Sequence, residues 1–272
     1  MARGMNHIFL IVPLARDPDL RSSPSGMAIF EVTVAGKDHL IGLGGQVRRL
    51  LWAHPVHLLG QAAERLAERH LKVGDPVMVE GALESRSWDA PDGGKRHAVQ
   101  IKGLQLEALW SAPTPIHDAK GGVRRQGGMN QVLVIGNLTR DAALRYTLAG
   151  DAVLSVALAV NEVWKDTGGD PQERVHDVDV TAWRALAEVA KDLKRGDPVL
   201  VQGRLTTARW IDKDGHTRTT ARIEASRMEL LTPGPRHGQA LAHPVRATGP
   251  ATRAAGRAGD AEDVPPGDDL PF

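Results

Sequence analysis

Met5-Asn6-His7-Ile8-Phe9-Leu10-Ile11 recurs as Met129-Asn130-Gln131-Val132-Leu133-Val134-Ile135, at an offset of 124 residues. Both runs are apolar and β-rich, as strands are. The same offset pairs Leu14, Arg16, Asp17, Leu20, Arg21 and Gly26 with Leu138, Arg140, Asp141, Leu144, Arg145 and Gly150. From Gly74-Asp75-Pro76-Val77, which matches Gly196-Asp197-Pro198-Val199, the offset becomes 122, so the first copy carries two extra residues between Glu64 and Gly74. Gly81, Leu83, Trp88 and Arg96 then meet Gly203, Leu205, Trp210 and Arg218. An internal repeat sets the architecture before any local feature is read. Each copy spans roughly 100 residues, an ordinary small-domain size.

Within each copy the pattern is strand, strand, strand, helix, strand, strand. After the opening run come strands at Ala28 to Val34 and at Ala152 to Val160. Val175 to Trp183 alternates, with Val178, Val180 and Ala182 on one face. Leu186, Val189, Ala190 and Leu193 then mark a short helix, ended by Gly196 and Pro198. Its first-copy counterpart is Gln61 to Leu71, stopped by Gly74 and Pro76. Val199 to Trp210 and His216 to Leu231 flank Asp214-Gly215, a hairpin signal. Five strands with a helix between the third and fourth is the order of an OB-fold barrel, a fold that commonly binds oligonucleotides or oligosaccharides. The expected class is all-β with one short helix per domain: two tandem five-stranded OB barrels and a disordered C-terminal tail. The boundaries are 1–110, a linker at 111–128, 129–231, and the tail at 232–272.

Composition narrows the class. The chain has 272 residues, 34 Lys+Arg and 33 Asp+Glu. Residues 260–272 hold five of those acids and no base, which leaves a body of net charge +6 ahead of an acidic end. There is no Cys, hence no disulfide, thiolate metal site or Cys nucleophile. The longest apolar runs are too short to cross a bilayer, and Met1 to Asn6 lacks the apolar core of a signal peptide. A cytoplasmic protein with no membrane role is expected. No His-Glu-x-x-His, no phosphate loop and no catalytic set is found among the 11 His and the acids. His54 and His57 point to opposite strand faces. Asp89, Asp92, Asp212 and Asp214 sit in hairpin turns, where Asp is favoured for backbone reasons. The expectation is a protein that is not an enzyme and needs no cofactor or metal.

Strand parity sorts the tryptophans. Val77, Val79 and Leu83 alternate inward, so Glu84, Arg86 and Trp88 face outward. Val199, Val201 and Leu205 put Arg204 and Trp210 on the outer side, and Trp183 lies opposite Val178, Val180 and Ala182. An outward Trp on a polar strand invites a ligand. Basic neighbours Arg86, Arg204, Arg209, Lys213 and Arg218 would steer phosphates. Stacking on an aromatic face is worth roughly 1–3 kcal/mol per base and tolerates any sequence. Each neutralised phosphate on a single strand adds a salt slope of about −0.7. Together these suit unpaired nucleic acid. Rival readings are an OB-fold nuclease accessory and an RNA- or sugar-binding OB module.

The residues resemble the bacterial single-stranded DNA-binding protein family. Arg3-Gly4-Met5-Asn6 through Asp17-Pro18, and Gly136-Asn137-Leu138-Thr139-Arg140-Asp141 with Leu144-Arg145-Tyr146, are similar to its first strand. Ala182-Trp183-Arg184-Ala185-Leu186-Ala187-Glu188 with Lys194-Arg195-Gly196-Asp197 resembles its third strand and helix. Asp268-Asp269-Leu270-Pro271-Phe272 resembles its acidic tip, which recruits DNA-processing proteins. The resemblance implies the form with two OB domains per chain, which dimerises to gather four. It implies binding of single-stranded DNA in replication, recombination and repair. Trp164, Trp183 and Trp210 would stack bases, Trp88 would match Trp210, and Trp52 is a further stacking candidate. Phosphate contacts would come from Arg3, Arg86, Lys95, Arg96, Arg145, Lys165, Arg184, Arg204, Arg209, Lys213 and Arg218.

The pattern departs from the family in places. Leu59 stands where the second copy has Trp183. Asp177 occupies a position, six before Trp183, that is usually aromatic. The second domain is therefore expected to stack DNA more strongly. Trp52 aligns with His176 and shares the parity of Val56 and Leu58, which also makes it a core candidate. Pro55 in mid-strand argues for an edge or a bulge. The tip offers a Phe ring, a carboxylate and Asp residues to an apolar pocket with a basic rim.

Overall fold

The computed structural model describes residues 4–41, 47–89, 95–109, 116–117, 123–126, 128–165, 168–211 and 217–231. The first copy forms β1 (Met5–Pro13), β2 (Asp19–Ser22), β3 (Ala28–Ile41), β4 (Val47–Leu59), α1 (Gln61–Ala67), β5 (Pro76–Asp89) and β6 (Lys95–Ala108). Then come β7 (Ile116–His117) and β8 (Val123–Gln126). The second copy forms β9 (Met129–Leu138), β10 (Ala143–Tyr146), β11 (Ala152–Lys165), β12 (Pro171–Trp183), α2 (Arg184–Val189), β13 (Pro198–Ile211) and β14 (Thr217–Leu230).

Strands β1, β5, β6, β4 and β3 pair in that order, and a Leu14–Val34 bridge closes the ring. Strands β9, β13, β14, β12 and β11 do the same, closed by Leu158↔Leu138. Each ring is a five-stranded OB barrel with its helix between the third and fourth barrel strands. Alternation fills the interiors: Val77, Val79, Leu83, Val199, Val201 and Leu205 are all fully buried. The register of β5 against β6 shifts after Glu80, leaving Leu104 as the extra residue on β6. Leu104 is exposed for that reason, while the alternation of β5 runs on unbroken.

Several elements differ from the sequence expectation. The helices are shorter: α1 stops at Ala67, and Leu71 reaches the core from a turn in which His70 has φ 51°. Likewise α2 stops at Val189, with Ala190 and Leu193 buried beyond it. Periodicity could not separate a helix from a helix followed by a core-facing turn. Residues 123–126, inside the expected linker, pair in parallel with β3 through Gly36↔Arg125 and Lys37↔Gln126. The short strands β2 and β10 were also not expected; they add to β3 and β11. The expected tail, 232–272, lies outside the described residues.

The copies differ inside at several cross-strand pairs, and one of them turns on a glycine. Gly36 faces Trp52 in the first barrel, and Val160 faces His176 in the second. A Cβ on Gly36 would fall within the Trp52 indole, so the large ring requires the glycine opposite it.

The barrels join along β1 and β9, antiparallel, with Ile8 opposite Val132. These are the same position in the two copies, so the junction has an internal two-fold. Asn6 repeats in Asn130: the Asn6 amide bonds the Leu83 carbonyl and N–H at 2.7 and 2.8 Å, and Asn130 bonds those of Leu205 at 2.8 and 2.9 Å. Pro55 lies where β4 becomes an open edge, because β6 pairs only with Val56 and His57. The second domain meets that edge: Ala53 N–H donates to Thr207 Oγ1 at 3.3 Å. The equivalent contact runs the other way, from Asp177 N–H to Ser85 Oγ at 3.1 Å.

Candidate nucleic-acid interface

The outward faces carry the candidate residues. In the second domain Arg145, Val153 and Trp183 stand in one cross-strand row over β10, β11 and β12. Adjacent strands lie about 4.8 Å apart, so Arg145 and Trp183 stand two strand spacings, about 10 Å, apart across Val153. Trp183 is half-buried, and Arg145 is exposed with no side-chain partner among the described residues. The corresponding first-domain row is Arg21, Ile29 and Leu59. Leu59 is 40% exposed and offers no π face.

Trp88 projects from the distal half of β5 and is 49% exposed, with Arg86 exposed on the same face. Trp164 lies on β11 and is 38% exposed. The Arg174 guanidinium sits 5.6 Å from the Trp164 ring centroid. Its Nη1 also donates to Glu84 Oε1 of the first domain at 2.7 Å, so one cation ties an aromatic platform to the junction.

A cleft of about 390 Å³ opens beside that contact, lined by Arg21, Pro55, Leu59, Ser87, Arg86 and Arg174 among others. Its floor is charged. Glu84 accepts from His57 Nε2 at 3.1 Å and from Gln100 at 3.2 Å. The His57 hydrogen bond, with help from Gln100 and Arg174, holds the Glu84 carboxyl down to about 2 against the effect of burial. On the other side of the junction, burial pushes Glu162 up, but hydrogen bonds from His176 (2.9 Å) and Lys102 (2.9 Å) outweigh it and keep its carboxyl low. His176 Nδ1 accepts the Ser85 N–H at 3.1 Å, so its Nε2 is the donor to Glu162.

Other candidates are placed differently. Trp52 is fully buried, its ring stacked on His54 with centroids 5.6 Å apart. It cannot meet a base without opening the barrel, and the stacking role proposed for it is withdrawn in favour of the core role its parity also allowed. Arg184 donates from Nε to Asp151 Oδ1 at 3.0 Å, and Arg204 is ion-paired with Glu224. The backbones of Lys95, Arg96, Lys165, Arg209, Trp210 and Arg218 lie on strands, with Trp88↔Arg96 and Trp210↔Arg218 opposite each other. Their side chains lie outside the described set. Arg3, Lys213 and the tip Asp268 to Phe272 lie outside the described residues altogether.

Two cations were missed by sequence reasoning. Arg21 is the repeat partner of Arg145 and carried that signal. Arg174 had none, because its place over Trp164 depends on the β11–β12 register and its bond to Glu84 on a cross-domain contact. Among the described residues no cluster of three or more His, Asp or Glu is arranged to hold a metal, and no helix is long and apolar enough to cross a membrane.

Comparison with known proteins gives a consistent result. The model of the Single-strand binding protein family matches residues 5–109 and again 129–231. A Single-stranded DNA-binding protein of Deinococcus radiodurans is 57% identical over 234 residues, covering 86% of this chain and 78% of its own. One of Thermus thermophilus is 42% identical over 278 residues and all of both chains. The crystal structure of wild-type single-stranded DNA binding protein from Thermus aquaticus superposes with a TM-score of 0.67 at 39% identity, covering 88% of this chain and 98% of its own.

Proposed function

The chain belongs to the single-strand binding protein family, and from that premise we propose that it binds single-stranded DNA across the outer faces of both barrels, without reading sequence and without catalysis. The observation that carries this is the pairing of accessible indoles with cations. Trp88 has Arg86 beside it, Trp164 has Arg174 over its ring, and Trp183 shares a row with Arg145. The rings supply sequence-tolerant stacking and the guanidinia a salt-dependent hold on phosphate. Trp210 and the strand-borne cations Lys95, Arg96, Lys165, Arg209 and Arg218 belong to the same surface in this reading.

The wider role follows the family: cover of single strands in replication, recombination and repair. Two chains would associate to present four barrels, and Asp268-Asp269-Leu270-Pro271-Phe272 would recruit partner proteins. An acidic segment that carries an aromatic ring suits a basic-rimmed apolar pocket and is itself repelled by the DNA polyanion. The second barrel is the stronger stacker, since the first has Leu59 where the second has Trp183.

Intrinsic Trp fluorescence titrated with oligo-dT at three salt concentrations tests the proposal. Deep quenching is expected. Trp183→Ala and Trp88→Ala are each expected to weaken binding by about 1–3 kcal/mol. Unaltered affinity in both variants would overturn the assignment of this face.

A further inference from the structure

We propose that Arg184 is held in a strained backbone so as to fix the Trp183 platform and present its guanidinium to the phosphate of the nucleotide stacked there. This rests on the single-strand reading above. Trp183 ends β12 in an extended conformation, φ −124° and ψ 148°. Arg184 follows at once with φ 56°, in the left-handed region. A residue with a Cβ is disfavoured there, because the Cβ crowds the carbonyl that follows. The first domain makes the same corner with Gly60, at φ 60°. A Cβ at Gly60 would meet nothing within 4 Å, so the corner is not crowded and glycine suffices to turn it. Arginine appears in the copy whose preceding residue is an aromatic, Trp183, and not where it is Leu59.

The side chain is anchored. Arg184 Nε donates to Asp151 Oδ1 at 3.0 Å. Asp151 is itself fixed: its N–H donates to Thr147 Oγ1 at 3.1 Å, and its carbonyl accepts the Thr147 N–H at 2.9 Å. It lies two residues before Val153, the cross-strand neighbour of Trp183. The ion pair is partly exposed, at 41% and 32%, and such pairs return less than left-handed strain takes. Stability alone would favour glycine. With Nε engaged, the four Nη hydrogens remain as a planar fork suited to a phosphate. Arg145 in the same row gives the ring a second cation.

Three full-length variants test this by thermal unfolding and by oligo-dT titration at several salt concentrations. Arg184→Gly is expected to raise Tm by about 2–4 °C. It should weaken oligo-dT binding by about 3–10-fold and make the log–log salt slope shallower by about 0.7. Arg184→Ala keeps the strain, so it should weaken binding equally with no rise in Tm. Asp151→Ala keeps the cation, so it should lower affinity while leaving the salt slope in place. A fall in Tm for Arg184→Gly, or an unchanged affinity and salt slope, would overturn the proposal. Failure of the single-strand reading itself looks different: the unsubstituted chain would not bind oligo-dT at all.

Discussion

Acidification should loosen the domain junction through one buried imidazole. His54 is 2% exposed, stacked on Trp52, with Nε2 donating to the Leu205 carbonyl of the other domain at 3.4 Å. Burial lowers its pKa from 6.5 to about 4, and the Leu205 carbonyl only partly opposes this. The unfolded chain takes up the proton near 6.5, the folded chain near 4. Between those values the unfolded state binds more protons, so stability is intact above 6.5 and falls as pH drops toward 4. The whole separation corresponds to about 3 kcal/mol, of which about 2 kcal/mol is lost between about pH 7.5 and about pH 5. That is a measurable share of a domain's stability of roughly 5–15 kcal/mol. Glu84 acts in a lower window: held at about 2 against 4.5, it costs stability only as pH falls through that range. Urea unfolding of the unsubstituted chain and of His54→Phe at the two pH values isolates the imidazole, because every other titrating group is common to both. The unsubstituted chain is expected to lose about 2 kcal/mol more than the variant. Parallel losses in the two proteins would refute the reasoning.

Two further substitutions probe the packing. Gly36→Val should destabilise by ~3 kcal/mol through its clash with Trp52, and Gly36→Val with Trp52→His should regain much of that by recreating the Val160–His176 pair. Additive losses in a double-mutant cycle would show that the two positions do not compensate. Asn130→Ala removes both bonds to the Leu205 backbone and should cost about 1–3 kcal/mol, read by chemical denaturation, with Asn6→Ala close to it. A loss below about 0.5 kcal/mol would mean that water replaces the amide.

The barrels were legible because their signals are local. Alternation at Val77, Val79 and Leu83 set the inner face of β5, and the repeat doubled every observation. Trp52 shows the limit: its parity said core, family resemblance left a ligand role open, and what decided was Gly36, sixteen residues away on the facing strand. A volume match across a hairpin can be checked from sequence only once the register is known. The β1–β9 junction left no sequence signal, since an edge strand that meets another domain has the same pattern as one that meets solvent. Arg174 was invisible for a related reason, as its partners, Trp164 across the β11–β12 hairpin and Glu84 in the other domain, are fixed only by the fold. Arg184 was visible as a cation but not as a strained one. Only comparison with Gly60 at the equivalent corner, with both backbone angles in hand, distinguishes the two.

Fusing the two copies also changes what each can tolerate. In a symmetric association of identical chains every interface substitution appears on both sides at once. Here the internal two-fold through Ile8 and Val132 joins copies free to differ. His176 reaches across the junction to Ser85, while its counterpart Trp52 fills a barrel instead. Asp177 and Ala53 occupy equivalent edge positions, and each donates its N–H to a hydroxyl of the other domain, from Ser85 and Thr207 respectively. The backbone interaction is kept while the side chains diverge. The same freedom confines the strained corner to one barrel. Gly60 turns the equivalent corner of the first domain without a Cβ, so the cost at Arg184 is met once per chain rather than twice. A duplicated, fused pair can therefore hold a left-handed arginine at a corner of one half while the other half turns the equivalent corner with glycine.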